Sequence, residues 1–194
     1  MATLVVCACD GATPSRLTVT NEVSPTVRTG PQSQPSGSSG NADRTSFYTK
    51  VDEATCRLID ENREEGPYWL RRCTGRGGWT IEWGESDLRQ GLVLISTDGR
   101  EADLELSDRV ANGAFNILGP VIEWRGPKGG PADALIVRMD VTDNADPERP
   151  PKSRLAVARL KPSPCVVAII DPAPSQNEKA RVLADGALPE CIAN

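Results

Sequence analysis

Residues 165–191, CVVAIIDPAPSQNEKARVLADGALPEC, combine a predicted strand, a predicted helix and two cysteines in one short stretch. Residues 165–170 are almost wholly apolar, which predicts a strand that is buried on both faces and central in its sheet. The prolines that follow end this strand, and Ser175 with Glu178 has the spacing of a helix-capping box. Small and apolar residues then recur at helical spacing up to Gly186, where we expect the helix to end.

Apolar residues that alternate with polar ones predict further strands on the N-terminal side of this stretch. The predicted strands lie around residues 79–83, 92–97, 100–106, 135–141, 155–160 and 165–170. Asp98-Gly99 predicts a hairpin with a two-residue turn, in whose register Ile95 faces Ala102. A second helix is expected near residues 51–59. The sequence therefore predicts an α+β domain, a mostly antiparallel β-sheet with a C-terminal helix packed on one face.

The chain has six cysteines, none in a CxxC pair, which argues against a structural zinc site. Four of them lie in the predicted domain: Cys56, Cys73, Cys165 and Cys191. Four cysteines allow three pairings, of which Cys56 with Cys73 and Cys165 with Cys191 is the most local. Because disulfides persist in oxidising compartments, these cysteines favour an exported protein.

The N-terminal region differs in composition from the rest of the chain. Residues 31–41, PQSQPSGSSGN, hold no apolar side chain and predict a flexible linker. Before it, an apolar stretch leads to Cys7 and Cys9, which resembles the lipobox of a bacterial lipoprotein. We therefore expect residues 1–43 to be an export or anchor remnant with a linker, and residues 44–194 to be one domain. Cys9 is the candidate for lipidation, and the expected location is periplasmic or membrane-tethered.

Charge and composition exclude several functions. The formal net charge is −5, so the chain lacks the basic footprint that nucleic-acid binding requires. There is no histidine, which excludes Ser-His-Asp and Cys-His catalysis and every metal site that needs a histidine ligand. The longest apolar runs fall far short of the roughly 20 residues of a spanning helix.

Several motifs along the chain resemble a known set of proteins. They are Cys56, RCTGRGGW at 72–79, ESDLR at 85–89, FNILGPVIEWR at 115–125, and the stretch 165–191. Together they resemble an uncharacterised family of small exported, disulfide-containing proteins, mainly from alphaproteobacteria. The resemblance implies export and the two local disulfides. It assigns no catalytic residue.

Tryptophan and arginine, which are enriched where proteins bind partners, mark the candidate binding residues. We take Trp79, Trp83, Trp124 and Arg125 as that set. The alternative places Trp124 in the core, with Glu123 and Arg125 forming a structural ion pair on the other face of their strand.

Carboxylates and glycines offer further candidates. Glu82, Glu85 and Asp87 lie close in sequence to two tryptophans and could serve a hydrolase acting on a glycan. Residues 140–148 are rich in oxygen ligands for calcium, although a hairpin loop explains them as well. The turn 75–78 is rich in glycine and could hold an anion.

The sequence therefore predicts no catalytic residue, metal or cofactor, and the leading hypothesis is a non-enzymatic, exported envelope binding module with an unidentified protein or ligand partner. An inhibitor of an exported enzyme, such as a lysozyme, is the alternative. A hydrolase is the third hypothesis.

Overall fold

The computed structural model describes residues 43–193. The predicted export remnant, linker and lipidation candidate Cys9 lie outside the described residues, apart from residue 43. In chain order the elements are β1 (Arg44–Lys50), β2 (Arg57–Asn62), β3 (Tyr68–Thr74), β4 (Thr80–Ser86), β5 (Arg89–Ile95), β6 (Glu101–Asp103), α1 (Leu106–Arg109), β7 (Asn116–Pro127), β8 (Ala134–Val141), β9 (Lys152–Arg159), β10 (Cys165–Ile170) and α2 (Gln176–Asp185).

All ten strands belong to one sheet in the order β10-β9-β8-β7-β5-β4-β3-β2, with β1 beside β7 and β6 beside β5. Every pairing is antiparallel except one parallel bridge, where Arg89 of β5 meets Asn116 at the start of β7. Strand β7 thus joins two arms, one formed by β2–β6 and the other by β1 and β7–β10. The predicted mostly antiparallel sheet with a C-terminal helix is confirmed.

Two hydrophobic cores join the two arms and helix α2. The first contains inward-facing residues of both arms, including Ile81 and Leu94 from one arm and Trp124 and Met139 from the other. The second lies between α2 and the opposite face of β8–β10, where Ala180 and Ala184 of the helix pack. The layers therefore follow in the order first arm (β2–β6), first core, second arm (β1 and β7–β10), second core and helix α2. The outer face of β3–β5 has no covering helix among the described residues.

The two local disulfides are confirmed. Cys56–Cys73 joins the turn before β2 to β3, and Cys165–Cys191 joins the C-terminal segment to β10. They close loops of 17 and 26 residues. In the loop-entropy account each contributes about 3 kcal/mol to the free energy of unfolding.

Strand β10 lies at the edge of the sheet, so the prediction of a central position is wrong. Its apolar character has another cause, because Val166 faces the first core and Val167 faces the second. The outer edge is engaged by the C-terminal segment, whose Ile192 N–H donates to the carbonyl of Val166 at 2.9 Å. This contact and the nearby disulfide protect the edge from pairing with another chain.

The predicted helix near 51–59 is also wrong. Residues 52–56 form a turn in which the side chain of Asp52 accepts the N–H of Thr55 at 2.8 Å, and β2 follows directly. The β5–β6 hairpin forms, but Ala102 pairs with Leu94 instead of Ile95. A three-residue turn, residues 97–99, replaces the predicted two-residue turn, because Ser96 N–H donates to the carbonyl of Arg100 at 2.9 Å and so pairs residue 96 with residue 100.

Helix α2 begins after Ser175 and ends before Gly186, as predicted. The capping box does not form, since the Ser175 side chain makes no capping hydrogen bond. Within residues 43–193 no helix is long and apolar enough to span a bilayer.

Candidate functional site

The four residues predicted to bind a partner do not form a common surface. Trp124 is fully buried, and its indole N–H donates to Thr49 Oγ1 at 2.9 Å. Arg125 and Trp83 are also buried, and Trp79 is half-buried against the first core. A buried side chain offers no area to a partner, so Trp83, Trp124 and Arg125 are corrected to structural residues. The large apolar indole of Trp124 fills the space between the arms, as the alternative interpretation expects.

Arg125 belongs to a charged cluster beneath α2. Its Nε donates to Asp185 Oδ1 at 2.9 Å, and its guanidinium lies 3.7 Å from Glu123. Arg44 also donates to Asp185, at 3.0 Å, and Arg181 of the helix donates to Glu123 at 2.8 Å. The hydrogen bond to Glu123 is the largest cause that raises the pKa of Arg181. The cluster fixes the helix to β1 and β7, which is a structural role.

The three carboxylates of the hydrolase hypothesis do not converge. Strand alternation places Glu82 and Glu85 on opposite faces of β4. Glu82 accepts hydrogen bonds from Arg72, Glu85 accepts one from Gln90 at 2.9 Å, and Asp87 is paired with Arg89. A pair of carboxylates flanking one bond, which a glycosidase needs, is therefore not formed by these residues.

The calcium and anion candidates are turns with internal partners. In the β8–β9 loop the backbone N–H of Ala145 is the largest cause that lowers the pKa of Asp143, and Lys152 lies 3.4 Å from the same carboxylate. Among the described residues no group of three potential metal ligands was found. The glycine-rich turn joins β3 to β4, and the guanidinium of Arg76 stacks on Phe47 at 3.4 Å from the ring centre.

A cleft that sequence reasoning missed lies at the open end of the first arm. It has a volume of about 530 Å³ and runs between β2, β3 and the β4–β5 turn. Its lining includes Trp69, Arg71, Glu85 and Leu88. We name it the Trp69 cleft. The first core ends here, because Trp69 packs edge-on against buried Trp83 with their ring centres 4.5 Å apart.

Buried Gln90 holds this cleft in place. Its side-chain oxygen accepts the indole N–H of Trp83 at 3.2 Å and the backbone N–H of Leu118 at 2.9 Å. Its side-chain nitrogen donates to Glu85 at 2.9 Å, and its backbone N–H donates to Asn116 at 3.0 Å. One buried amide thus links the aromatic wall, the carboxylate of the cleft and the joint strand β7. Such a network keeps the cleft preorganised without a ligand.

The charges around the cleft are mixed. Arg71 lies 3.5 Å from Glu53 and 6.0 Å from the centre of the Trp69 ring. Tyr68, at the mouth, donates its hydroxyl proton to Asp60 at 3.0 Å, and this hydrogen bond is the largest cause that raises the pKa of Tyr68. The phenol therefore stays protonated at neutral pH. The wall of the cleft combines an aromatic ring with both signs of charge, as contact surfaces between proteins commonly do.

The tip of the β4–β5 hairpin forms the rim of the cleft. Its two turn residues, Asp87 and Leu88, have φ angles of 51° and 59°. This turn favours Asn-Gly, and a leucine in the left-handed region is a conformational outlier. Leu88 is nevertheless 60% exposed, and Phe115 and Ile117 are exposed at 42% and 61% on the adjoining segment. Asn116 N–H donates to the carbonyl of Leu88 at 3.2 Å, which brings the two segments together.

We name Leu88, Phe115 and Ile117 the apolar rim. With the Trp69 cleft they form the candidate site, which can bind by burying apolar and aromatic area and which holds no evident nucleophile. The signal for it was present in the sequence. It was weak, however, because eight residues separate the predicted strands 79–83 and 92–97, and only the extension of both strands to Ser86 and Arg89 places Leu88 in a tight turn.

No protein-family model, no curated protein and no solved structure matches this chain. The resemblance to small exported proteins of alphaproteobacteria therefore stays a prediction, and the function has to be argued from the geometry.

Proposed function

We propose that this protein is a non-enzymatic, exported binding module that contacts a partner protein through the Trp69 cleft and the apolar rim. The observation that carries the proposal is Leu88. A bulky apolar residue in a left-handed turn costs about 1–2 kcal/mol of backbone strain, and exposure to water gives nothing in return. A partner that buries the Leu88 side chain would offset this strain with the free energy of burying apolar surface.

The surroundings of Leu88 support a protein partner. The apolar rim presents three exposed large hydrophobic residues on two adjoining segments, and an aromatic ring lines the neighbouring cleft. Contact surfaces are built this way, with a few apolar and aromatic anchors surrounded by polar groups. The rim lies on the β4–β5 hairpin tip and at the start of β7, which Gln90 joins through Asn116 and Leu118, so little conformational entropy is lost on binding.

Export is part of the proposal. Two disulfides within the described residues support an oxidising compartment such as the periplasm. Lipidation of Cys9 would tether the domain to a membrane by way of the polar stretch 31–41. A projecting hairpin tip and a net charge of −5 also fit the second candidate function, an inhibitor of a basic exported enzyme such as a lysozyme.

Site-specific crosslinking tests the proposal. A photoreactive amino acid replaces Leu88 in the full chain, produced in a bacterium that exports it, and the matched control carries the same group at Val182 of α2. These positions have similar exposure, 60% and 58%, but only the first lies on the candidate site. We expect one discrete crosslinked protein from position 88 and none from position 182. Equal crosslinking from both positions would contradict the proposal.

A further inference from the structure

The two disulfides differ in how easily a dissolved thiol can reach them. Cys56 and Cys73 are each 3% exposed and lie within the first core. Cys191 is exposed, and its partner Cys165 is half-buried in the edge strand β10. A thiolate must approach one of the two sulfur atoms directly, so access decides which disulfide can react in the folded protein. Cys165–Cys191 is therefore the accessible bond of the two.

Arg159 of β9 places a positive charge beside the exposed sulfur. Its Nη2 donates to Cys191 Sγ at 3.1 Å, and its side chain is only 16% exposed. Its Nη1 lies 3.6 Å from the carboxylate of Glu190, a side chain that is 96% exposed. Its Nε is buried and has no hydrogen-bond acceptor within residues 43–193. The guanidinium thus lacks an anionic partner at hydrogen-bond distance among these residues, and a thiolate at Cys191 would supply one.

The C-terminal segment, residues 186–193, depends on this disulfide for its place on the sheet. Within the described chain one backbone hydrogen bond joins it to β10, from the Ile192 N–H to the carbonyl of Val166 at 2.9 Å. Arg109 donates to the carbonyl of Ile192. Leu188 and Ile192 pack against the cores, and the other residues of the segment are exposed. Breaking the disulfide therefore leaves few contacts to hold the segment over the edge of β10.

We infer that Cys165–Cys191 is a thiol-exchange site at which Cys191 accepts a small thiol, and that exchange releases the C-terminal segment from β10. The thiolate attacks Cys191 Sγ, the bond between the two cysteine sulfurs breaks, and Cys165 leaves as a thiolate that takes a proton from water. A second thiolate attacks the small-molecule sulfur of the mixed disulfide and frees Cys191 as a thiolate beside Arg159. The protein disulfide gains two electrons, and the two small thiols become one disulfide. The inference does not depend on the Trp69 cleft or the apolar rim.

Peptide mapping of the oxidised full chain tests the exchange site, with reduced glutathione as the probe. The protein is incubated with glutathione in the absence of denaturant, free thiols are blocked by alkylation, and mass spectrometry follows each cysteine over time. The buried Cys56–Cys73 disulfide is the matched control within the same chain. We expect Cys165–Cys191 to open about 100-fold faster than the control, with glutathione attached to Cys191. Equal rates for both disulfides, or glutathione attached only to Cys165, would overturn the inference.

Two variants test whether Arg159 assists exchange or only supports the fold. Arg159→Gln removes the charge beside Cys191, and we expect exchange to become about tenfold slower. A purely structural role predicts the opposite sign, because a loosened fold exposes both disulfides and lets them react faster. Glu190→Gln removes a negative charge from an exposed side chain, so exchange should become about twofold faster. Unchanged or faster exchange in Arg159→Gln would contradict the role of the guanidinium.

Hydrogen exchange tests the release of the C-terminal segment. In the oxidised protein the Ile192 N–H is bonded to the carbonyl of Val166. After glutathione has opened the disulfide, we expect this amide to exchange with deuterated water about tenfold faster, while the amides of the central strand β8 keep their protection. An Ile192 amide that stays equally protected after Cys165–Cys191 is reduced would overturn the release.

Discussion

The strain at Leu88 can be measured without knowing the partner. Leu88→Ala and Leu88→Gly both remove the exposed side chain beyond Cβ, so the two variants give up the same side-chain packing. The alanine keeps a Cβ at a φ angle of 59°, which costs about 1–2 kcal/mol, whereas glycine adopts this angle freely. Glycine costs about 0.5–1 kcal/mol in chain entropy relative to alanine. The glycine variant should therefore be the more stable by about 0.7 kcal/mol.

Ile117 provides the matched control. It is 61% exposed against 60% for Leu88, it lies on the same apolar rim, and its φ angle is not positive. With no strain to relieve, Ile117→Gly should be less stable than Ile117→Ala by about 0.5–1 kcal/mol. The sign of the difference between glycine and alanine should therefore reverse between the two positions.

Urea unfolding followed by tryptophan fluorescence gives the free energies. With a denaturant slope of about 2 kcal/mol per molar, the midpoint of Leu88→Gly should exceed that of Leu88→Ala by about 0.35 M. The reasoning is refuted if the alanine variant is equally or more stable, or if both positions give the same sign. With the photoreactive group placed at Phe115 of the apolar rim instead of at position 88, both Leu88 variants should lose the crosslinked partner. Loss of binding by the more stable glycine variant then cannot be attributed to unfolding.

Other predictions concern the supports of the fold. Asp185→Asn should lower the free energy of unfolding by about 2 kcal/mol in urea titrations, because it removes the nearest carboxylate of buried Arg125 and one of the two carboxylates that are paired with Arg44. Replacing Cys165 and Cys191 together by serine should cost about 3 kcal/mol in the same assay, and a much smaller loss would contradict the role of this disulfide. Thr55 holds the pKa of Asp52 below its ordinary value of 3.8. The stability from this contact is therefore complete above pH 3.8 and is lost as the pH falls through the lower, folded pKa. The thermal unfolding temperatures of the wild type and Thr55→Val should accordingly differ more at about pH 7 than near about pH 2, where only the hydrogen bonds of the Thr55 hydroxyl to backbone groups remain.

Local patterns predicted most strands and the place of α2 but not how the elements meet. A strand that is apolar on both faces fits the centre of a sheet, and it fits equally well an edge position that is packed on both faces. The composition of residues 165–170 could therefore not distinguish a central strand from the edge strand that is observed. The helix expected near 51–59 is replaced by a turn because Cys56 is tied to Cys73, and this tertiary bond outweighs local propensity.

The candidate site was harder to predict, because exposure is a property of the whole fold. Trp124 and Trp69 are both aromatic residues on strands, and only the packing of the two arms makes one fully buried and the other the wall of a cleft.

The two arms divide stability and recognition between them. Helix α2 covers one face of β7–β10, and the cluster around Asp185 fixes it there, so substitutions in this arm should act on the free energy of unfolding. The first arm carries no helix on its outer face among the described residues, and it holds the Trp69 cleft and Leu88 of the apolar rim. Gln90 connects the arms, since it binds Leu118 of β7 as well as Trp83 and Glu85. A leucine in place of Gln90 would leave the Trp83 indole, the Leu118 N–H and the Glu85 carboxylate without this hydrogen-bond partner. Because buried unpaired groups destabilise a fold, this loss explains why a polar residue is buried between the two arms.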